Sequence, residues 1–315
     1  MATTSSNSSL FIVFSQSSDV IISLIGFLAS ISVLLVFILF SLVVKSLCIV
    51  ILCTFLFSSL YIALFVIIYF YLRDAGFRQC DMLQNSCRAI GLGTVCAVGL
   101  TFVLASQYLD IPKMLWPFGL YLIFLSFFHW SEFYFTAVYN PTCCSIDIYM
   151  ITHSPEYIFA AAASVVEYLF RMFLFPSWYC IPLLVHIVGF FMCVGGEVLR
   201  KMAIVTAASN FNHYIELTRR PNHTLVTHGI YSWFRHPAYV GWFYWALGTQ
   251  LLLGNPLCFV AYTLAAHKFF RDRIEYEERQ LIYFFPQDYC EYQRRVGVGI
   301  PFIQGYKPLT AEHLS

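Results

Sequence analysis

Long apolar runs broken by short polar stretches dominate the chain, and the run lengths predict helices that cross a membrane. About 20 mostly apolar residues make one such helix. Residues 20–44 and 47–72 are two, joined through Lys45-Ser46, a link so short that it predicts an antiparallel hairpin. Gly26 and Ser30, four apart, offer a close helix contact. After a polar loop with Arg73, Arg78 and Arg88, residues 89–109 form a third span, with Gly91, Gly93 and Gly99 as small packing positions. Residues 114–138 form a fourth, ended by Tyr139-Asn140-Pro141, because proline disfavours helix in the residue before it. Ser154-Pro155 reads as an N-cap followed by proline in the first helical turn, which starts a fifth span running to about Phe175. Residues 179–199 make a sixth. The polar segment 200–221 is expected to leave the hydrocarbon, in part as helix running on into water. Residues 238–253 and 257–270, split by Gly254-Asn255-Pro256, are a final hairpin, short for full crossings unless the helices extend into the flanking polar sequence.

The fold class is therefore all-α: a multi-pass integral membrane protein of about eight spans. Composition agrees, at 59% hydrophobic and 11% charged residues, against about 25% charged in soluble domains. The expected organisation is a disordered Ser/Thr-rich tail over 1–18, transmembrane helices over 19–199 and a catalytic region over 200–315. A net charge of +1 gives no footprint for nucleic acid. The eleven cysteines form no C-x-x-C pair, lie mostly in apolar runs, and read as small apolar fillers rather than disulfide or zinc ligands. No metal site is expected. Eight spans put both termini on one side. That side collects Arg73, Arg78, Arg88, Arg200, Lys201, Arg219, Arg220, Arg235 and every basic residue from Lys268 onward, and leaves Lys45, Lys113 and Arg171 to the other. The positive-inside bias makes it cytosolic, and the sequons at Asn7 and Asn222 would stay unused.

Glu132, Glu167, His186 and Glu197 are ionisable residues inside apolar runs, where charge is costly and usually faces a protein interior. Glu167 and Arg171 have ion-pair spacing on one helix face. Glu132, beside His129 and Trp130, suits either an interfacial anchor or a cavity wall. Arg235-His236-Pro237 suits a helix start that presents free N–H groups at a membrane surface. Arg273 and Glu277 share one helix face, with Glu275 and Glu278 pointing elsewhere. Taken alone, that run reads equally as a solvated charged helix.

In order along the chain stand Leu225-Val226-Thr227-x-Gly229-Ile230-Tyr231, Arg235-His236-Pro237-x-Tyr239-x-Gly241, Asn255-Pro256, Arg273-Ile274-x-x-Glu277-Glu278 and Phe285-x-x-x-Tyr289-x-x-Tyr292. This series resembles the isoprenylcysteine carboxyl methyltransferase family, animal endoplasmic-reticulum type, as do Ser209 to His213 and Phe269 to Arg273. The resemblance covers at least residues 205–302. It implies transfer of a methyl group from S-adenosylmethionine to the C-terminal carboxylate of a prenylated (farnesyl or geranylgeranyl) cysteine. The acceptors would be processed CaaX proteins such as small GTPases, at the cytosolic face of the endoplasmic reticulum membrane. By resemblance the cofactor contacts are His223, Thr224, Leu225, Val226, Tyr231, His236, Pro237, Ala238, Tyr239 and Glu277, and Arg273 holds the substrate carboxylate. A further family contact, a glutamine, falls on Glu216, a departure from the pattern. Arg273 and Glu277 are the expected catalytic pair.

Two other enzyme classes use related features. An NADPH-dependent membrane sterol reductase would share an Arg-x-x-x-His-Pro-like segment, and a phospholipid N-methyltransferase would share the cofactor. An amine acceptor has less need of a carboxylate-binding arginine, so Arg273 with Glu277 favours carboxyl methylation. A channel or scaffold would bind no cofactor at all.

Overall fold

The computed structural model describes residues 19–36, 79–108, 114–151, 154–174 and 181–307. Among these, the regular structure is helical throughout: α1 (Asp19–Val36), α2 (Gln79–Tyr108), α3 (Leu115–Tyr139), α4 (Pro155–Leu174), α5 (Leu183–Ala207), α6 (Pro237–Leu253), α7 (Pro256–Phe284) and α8 (Pro286–Arg295). Four described segments are long and apolar enough to cross a membrane: Asp19–Val36, Gln84–Tyr108, Pro155–Leu174 and Leu183–Asn210. The expected second span and the N-terminal tail lie outside the described residues.

Helix boundaries follow the punctuation of the sequence. The Tyr157 N–H donates to Ser154 Oγ at 3.2 Å, a side-chain cap ahead of Pro155. Asn140 closes α3, and its N–H bonds the Thr136 carbonyl. Pro237 opens α6, and Gly254 at φ 68° closes it. α7 runs 29 residues without a break, so the last apolar run does extend through polar sequence, to Phe284.

The chain divides into two compact units, Met1–Pro182 and Leu183–Ser315. In the first, glycines set the helix contacts. A Cβ on Gly93 would lie 2.6 Å from the Phe27 carbonyl oxygen, and one on Gly99 2.5 Å from that of Gly119. No described residue lies within 4 Å of a Cβ placed on Gly91. Polar groups satisfy one another inside this unit. Tyr149 Oη donates to Asn85 Oδ1 at 2.7 Å, and His129 bridges the Tyr149 carbonyl and the Tyr157 hydroxyl at 2.7 and 2.9 Å. Glu132 is fully buried, which removes the interfacial-anchor reading.

In the second unit α5 and α6 touch backbone to backbone. A Cβ on Gly196 would meet the Gly241 carbonyl oxygen at 2.5 Å, and one on Gly241 would meet that of Gly196 at 2.5 Å. His186 Nδ1 lies 2.7 Å from the Leu252 carbonyl oxygen and ties the far ends of the pair. Helix α5 does run past residue 200, but Arg200 and Lys201 do not reach water. Both are buried, Arg200 on the Ala238 carbonyl and over the Trp242 ring, Lys201 paired with Glu197 at 3.2 Å. Close helix packing at the glycines leaves these long side chains covered by the neighbouring helix. Val240, Phe243, Phe270 and Ile274 then build a core onto which Val298, Ile300 and Ile303 fold back from the C-terminal segment.

Candidate active site

Helix α7 carries Arg273, Glu277 and Glu278. Successive residues on a helix point about 100° apart, and this rotation gives the two glutamates different fates. Glu277 is half-buried, whereas Glu278 is fully enclosed. Its Oε1 accepts from Arg235 Nε at 2.9 Å, His236 Nε2 at 3.1 Å and Tyr289 Oη at 3.0 Å. Its Oε2 accepts from Gln293 Nε2 at 2.9 Å and the Tyr306 N–H at 2.7 Å. Burial pushes the carboxyl up, but the His236 hydrogen bond and the His236 and Arg235 charges outweigh it and hold the group below the usual range. The rest of the Arg235 guanidinium donates to the carbonyls of Val296 and Gln304. Gly305, at φ 80°, passes directly against the carboxylate, where a Cβ would sit 2.0 Å from Oε2.

Tyr239 stands on the first turn of α6. Its hydroxyl donates to Glu277 Oε2 at 2.5 Å and accepts from Arg273 Nε at 2.8 Å. Arg273 Nη2 donates to the His213 carbonyl at 2.6 Å. Its Nη1 has no acceptor among the described residues, and the residue is half-buried. The His236 ring, bonded to Glu278, lies nearly parallel to that of Tyr239, with centroids 5.6 Å apart. The helical period places Arg273 and Glu277 on one face, and the tyrosine hydroxyl joins them.

The loop between α5 and α6 brings in the remaining expected residues. Glu216 accepts from Arg220 Nε at 2.9 Å and Asn212 Nδ2 at 3.1 Å. His223 sits edge-on to Phe284 and Phe285, and its Nδ1 is buried without a hydrogen bond, 3.7 Å from Glu216 Oε2. Desolvation lowers the His223 pKa more than Glu216 raises it, so the ring is neutral at pH 7. The Thr224 N–H donates to Asn210 Oδ1 at 3.0 Å, Leu225 packs on the Phe284, Phe285, Tyr289 and Tyr292 cluster, and Val226 is half-buried. Arg219 holds this loop to the end of α7, donating to the Phe284 carbonyl at 3.1 Å and covering the Phe285 ring. Tyr231 is fixed through its carbonyl, which accepts from Tyr292 Oη at 2.5 Å. Burial and then the Glu277 charge push its own hydroxyl well up, so it stays protonated. Pro237 and Ala238 are buried in the first turn of α6.

The expected residues thus fall into two groups. Tyr239, Arg273 and Glu277 meet at one hydroxyl, with His236 stacked behind. Glu216, His223 and Leu225 gather at the aromatic end of α7. The short loop from Asn212 to Glu216 touches both, through the His213 carbonyl and the Glu216 carboxylate. Glu278 was not anticipated in this role. The signal was Arg235 itself, a guanidinium at the edge of an apolar run that needs a buried counter-charge.

Residues 187–283 match the Isoprenylcysteine carboxyl methyltransferase (ICMT) family. The protein-S-isoprenylcysteine O-methyltransferase of Tribolium castaneum is 50% identical over 220 residues, covering 70% of this chain and 76% of that protein. The human protein of the same name is 47% identical over 225 residues, 71% of this chain and 76% of its own length. A solved structure of the eukaryotic intramembrane Ras methyltransferase ICMT superposes with a TM-score of 0.80 at 43% identity, covering 92% of this chain and 99% of that one.

Proposed function

The chain belongs to the isoprenylcysteine carboxyl methyltransferase family, and we propose that it uses S-adenosylmethionine to do the family's chemistry at Tyr239, Arg273 and Glu277. It is a membrane methyltransferase that esterifies the C-terminal carboxylate of prenylcysteine. The acceptors are prenylated proteins such as small GTPases left by processing of C-a-a-X signals. The membrane is that of the endoplasmic reticulum, with both termini cytosolic.

Three features of the chain suit a sulfonium donor. Glu277 supplies a carboxylate beside a cation, and Tyr239 and Tyr231 supply aromatic faces that attract one, worth about 0.5–2 kcal/mol each. The buried Nδ1 of His223 lacks a partner that a polar ligand would provide. When bound, the donor supplies an electrophilic methyl group.

An α-carboxylate has a pKa near ~3.5, so the nucleophile is ionised without a general base. The residues need only dry it, hold it and aim it. Arg273 is built for the holding. Its Nε and Nη2 are committed to Tyr239 and His213, which fixes the plane of the guanidinium. Nη1 then points one donor at the acceptor and leaves its second oxygen free to attack. Lysine has no such fixed fork. The bond from Tyr239 to Glu277 sets the carboxylate one helical turn away, where it offsets positive charge.

The observation that carries this reading is the tyrosine-linked arginine and glutamate. The experiment is methyl transfer from labelled S-adenosylmethionine by liposome-embedded protein to N-acetyl-farnesylcysteine, its methyl ester and N-acetylcysteine. Base-labile label on the free farnesylated acid alone is expected. Label on the ester or on N-acetylcysteine, or no donor binding by folded protein, would overturn it.

A further inference from the structure

Phe302 is the most exposed large apolar side chain among the described residues, 95% open. It also holds φ at 64°, in the left-handed region that a bulky residue adopts only under constraint. The constraint is visible on both sides. Val298, Ile300 and Ile303 are buried in the core with Phe243, Phe270 and Ile274, and Arg235 grips the Gln304 carbonyl. The turn at Pro301-Phe302 is therefore rigid, and it turns an aromatic ring outward.

Its height along α7 is fixed. His267 Nε2 donates to the Pro301 carbonyl at 3.0 Å. On the same helix Leu257, Val260 and Leu264 are exposed at spacings of three and four, one apolar stripe along one face. That stripe continues onto His267 and Lys268, then onto Arg271, both cations being exposed. The turn is thus tied to α7 where apolar side chains give way to basic ones. At that level of a bilayer exposed Phe and Leu side chains reach the acyl boundary while basic residues sit beside them at the headgroups.

We propose that Phe302 is a membrane-inserted anchor: the turn of the C-terminal segment lies in the bilayer interface, with the ring among the acyl chains and Lys268 and Arg271 at the anionic headgroups. The segment so anchored is the one that supplies the Gln304 carbonyl to Arg235 and the Tyr306 N–H to Glu278. The bilayer then holds the outer side of a strap whose inner side closes the buried carboxylate. This inference rests on reading residues 257–270 as the membrane-buried part of α7, and not on any cofactor role.

The test places p-benzoylphenylalanine at 302 in the full-length protein, in liposomes of phosphatidylcholine with phosphatidylserine, and identifies the adducts formed under light by mass spectrometry. The same label at Leu264 is the lipid-facing reference. At Tyr283, which is 78% exposed beyond the apolar run, it is the aqueous reference. Lipid adducts at 302 are expected at the Leu264 level and about ten-fold above the Tyr283 level, the lower end of the partition preference of a phenyl side chain. Adducts at 264 with none at 302 would overturn the proposal. So would adducts at 302 to a second copy of the chain, or lipid adducts there that a farnesylated acceptor displaces, which would put Phe302 on the prenyl path. An unchanged melting temperature of the labelled protein keeps a negative result decisive. The adducts form whether or not the preparation methylates anything, so failure here is separable from failure of the methyl-transfer reading.

Discussion

The hydroxyl of Tyr239 stands between Arg273 and Glu277, accepting from the one at 2.8 Å and donating to the other at 2.5 Å. A neutral group on α6 thereby sets the geometry of two charges on α7. Tyr239→Phe keeps the ring stacked on His236 and removes only this link. Hydrogen bonds to charged groups contribute about 1.5–3 kcal/mol, so kcat/KM for N-acetyl-farnesylcysteine should fall about ten- to one-hundred-fold with the melting temperature little changed. Wild-type kcat/KM in this variant would show the link to be idle.

Arg273→Ala and Glu277→Ala should each lower methyl transfer by at least about an order of magnitude while the protein still inserts and folds. Arg273→Lys should recover little, because an ammonium cannot bond Tyr239 and His213 and still present a fixed third donor. Steady-state kinetics on the liposome-embedded protein, beside its melting curve, separate this from misfolding.

Glu278 should behave differently. Glu278→Ala leaves the buried Arg235 charge uncompensated, and breaking such a pair costs about 3–5 kcal/mol. The expected result is a large drop in melting temperature, with activity lost as a consequence. Gly305→Ala should lower the melting temperature too, since the added Cβ meets Glu278 Oε2 at 2.0 Å and φ there is 80°.

Acid should lower the melting temperature in two stages. His223 has a folded pKa below its ordinary value of about 6.5. Its contribution is complete above that value and is lost as pH falls through the folded pKa. Glu278 is also depressed, so its contribution is complete above the ordinary carboxyl value of about 4.3 and disappears at still lower pH. Melting temperature against pH should decline first below about 6.5 and again below about 4.3. His223→Phe should flatten the first decline and spare the second.

The glycine contact between α5 and α6 gives a fifth handle. Gly196→Leu places a branched side chain where the Gly241 carbonyl already lies 2.5 Å from an added Cβ. The helices must part, and overpacking of this kind typically costs about 1–3 kcal/mol. Reduced yield of folded protein and a lower melting temperature are expected; Gly195→Leu, one residue away and with no described residue within 4 Å of its Cβ position, should be tolerated.

Helix starts and stops were legible because proline, serine and glycine act locally: Pro155, Pro237 and Gly254 do in the fold what their chemistry requires. The pairing of Arg273 with Glu277 on one face was legible from the helical period. Which face the protein covers was not, since that depends on chain far away in sequence. Glu278 is buried because Arg235, Tyr289 and Gln293 of α8, and Tyr306 converge on it from three other places. Arg200 and Lys201 look like the start of a water-exposed stretch, yet glycine contacts draw α6 so close that both are covered. Periodicity reports faces, and tertiary contact decides what fills them.

The bonds from Gln304 and Tyr306 to the Arg235–Glu278 pair also set an order of events during synthesis. A ribosome releases residue 235 long before residue 306. Until the later one emerges, the arginine and the glutamate lack the last of their partners. The buried carboxylate is thus fully enclosed only after α8 and the strap beyond it have been made. A chain terminated just ahead of Gln304 would leave the buried Arg235–Glu278 pair without two of its partners.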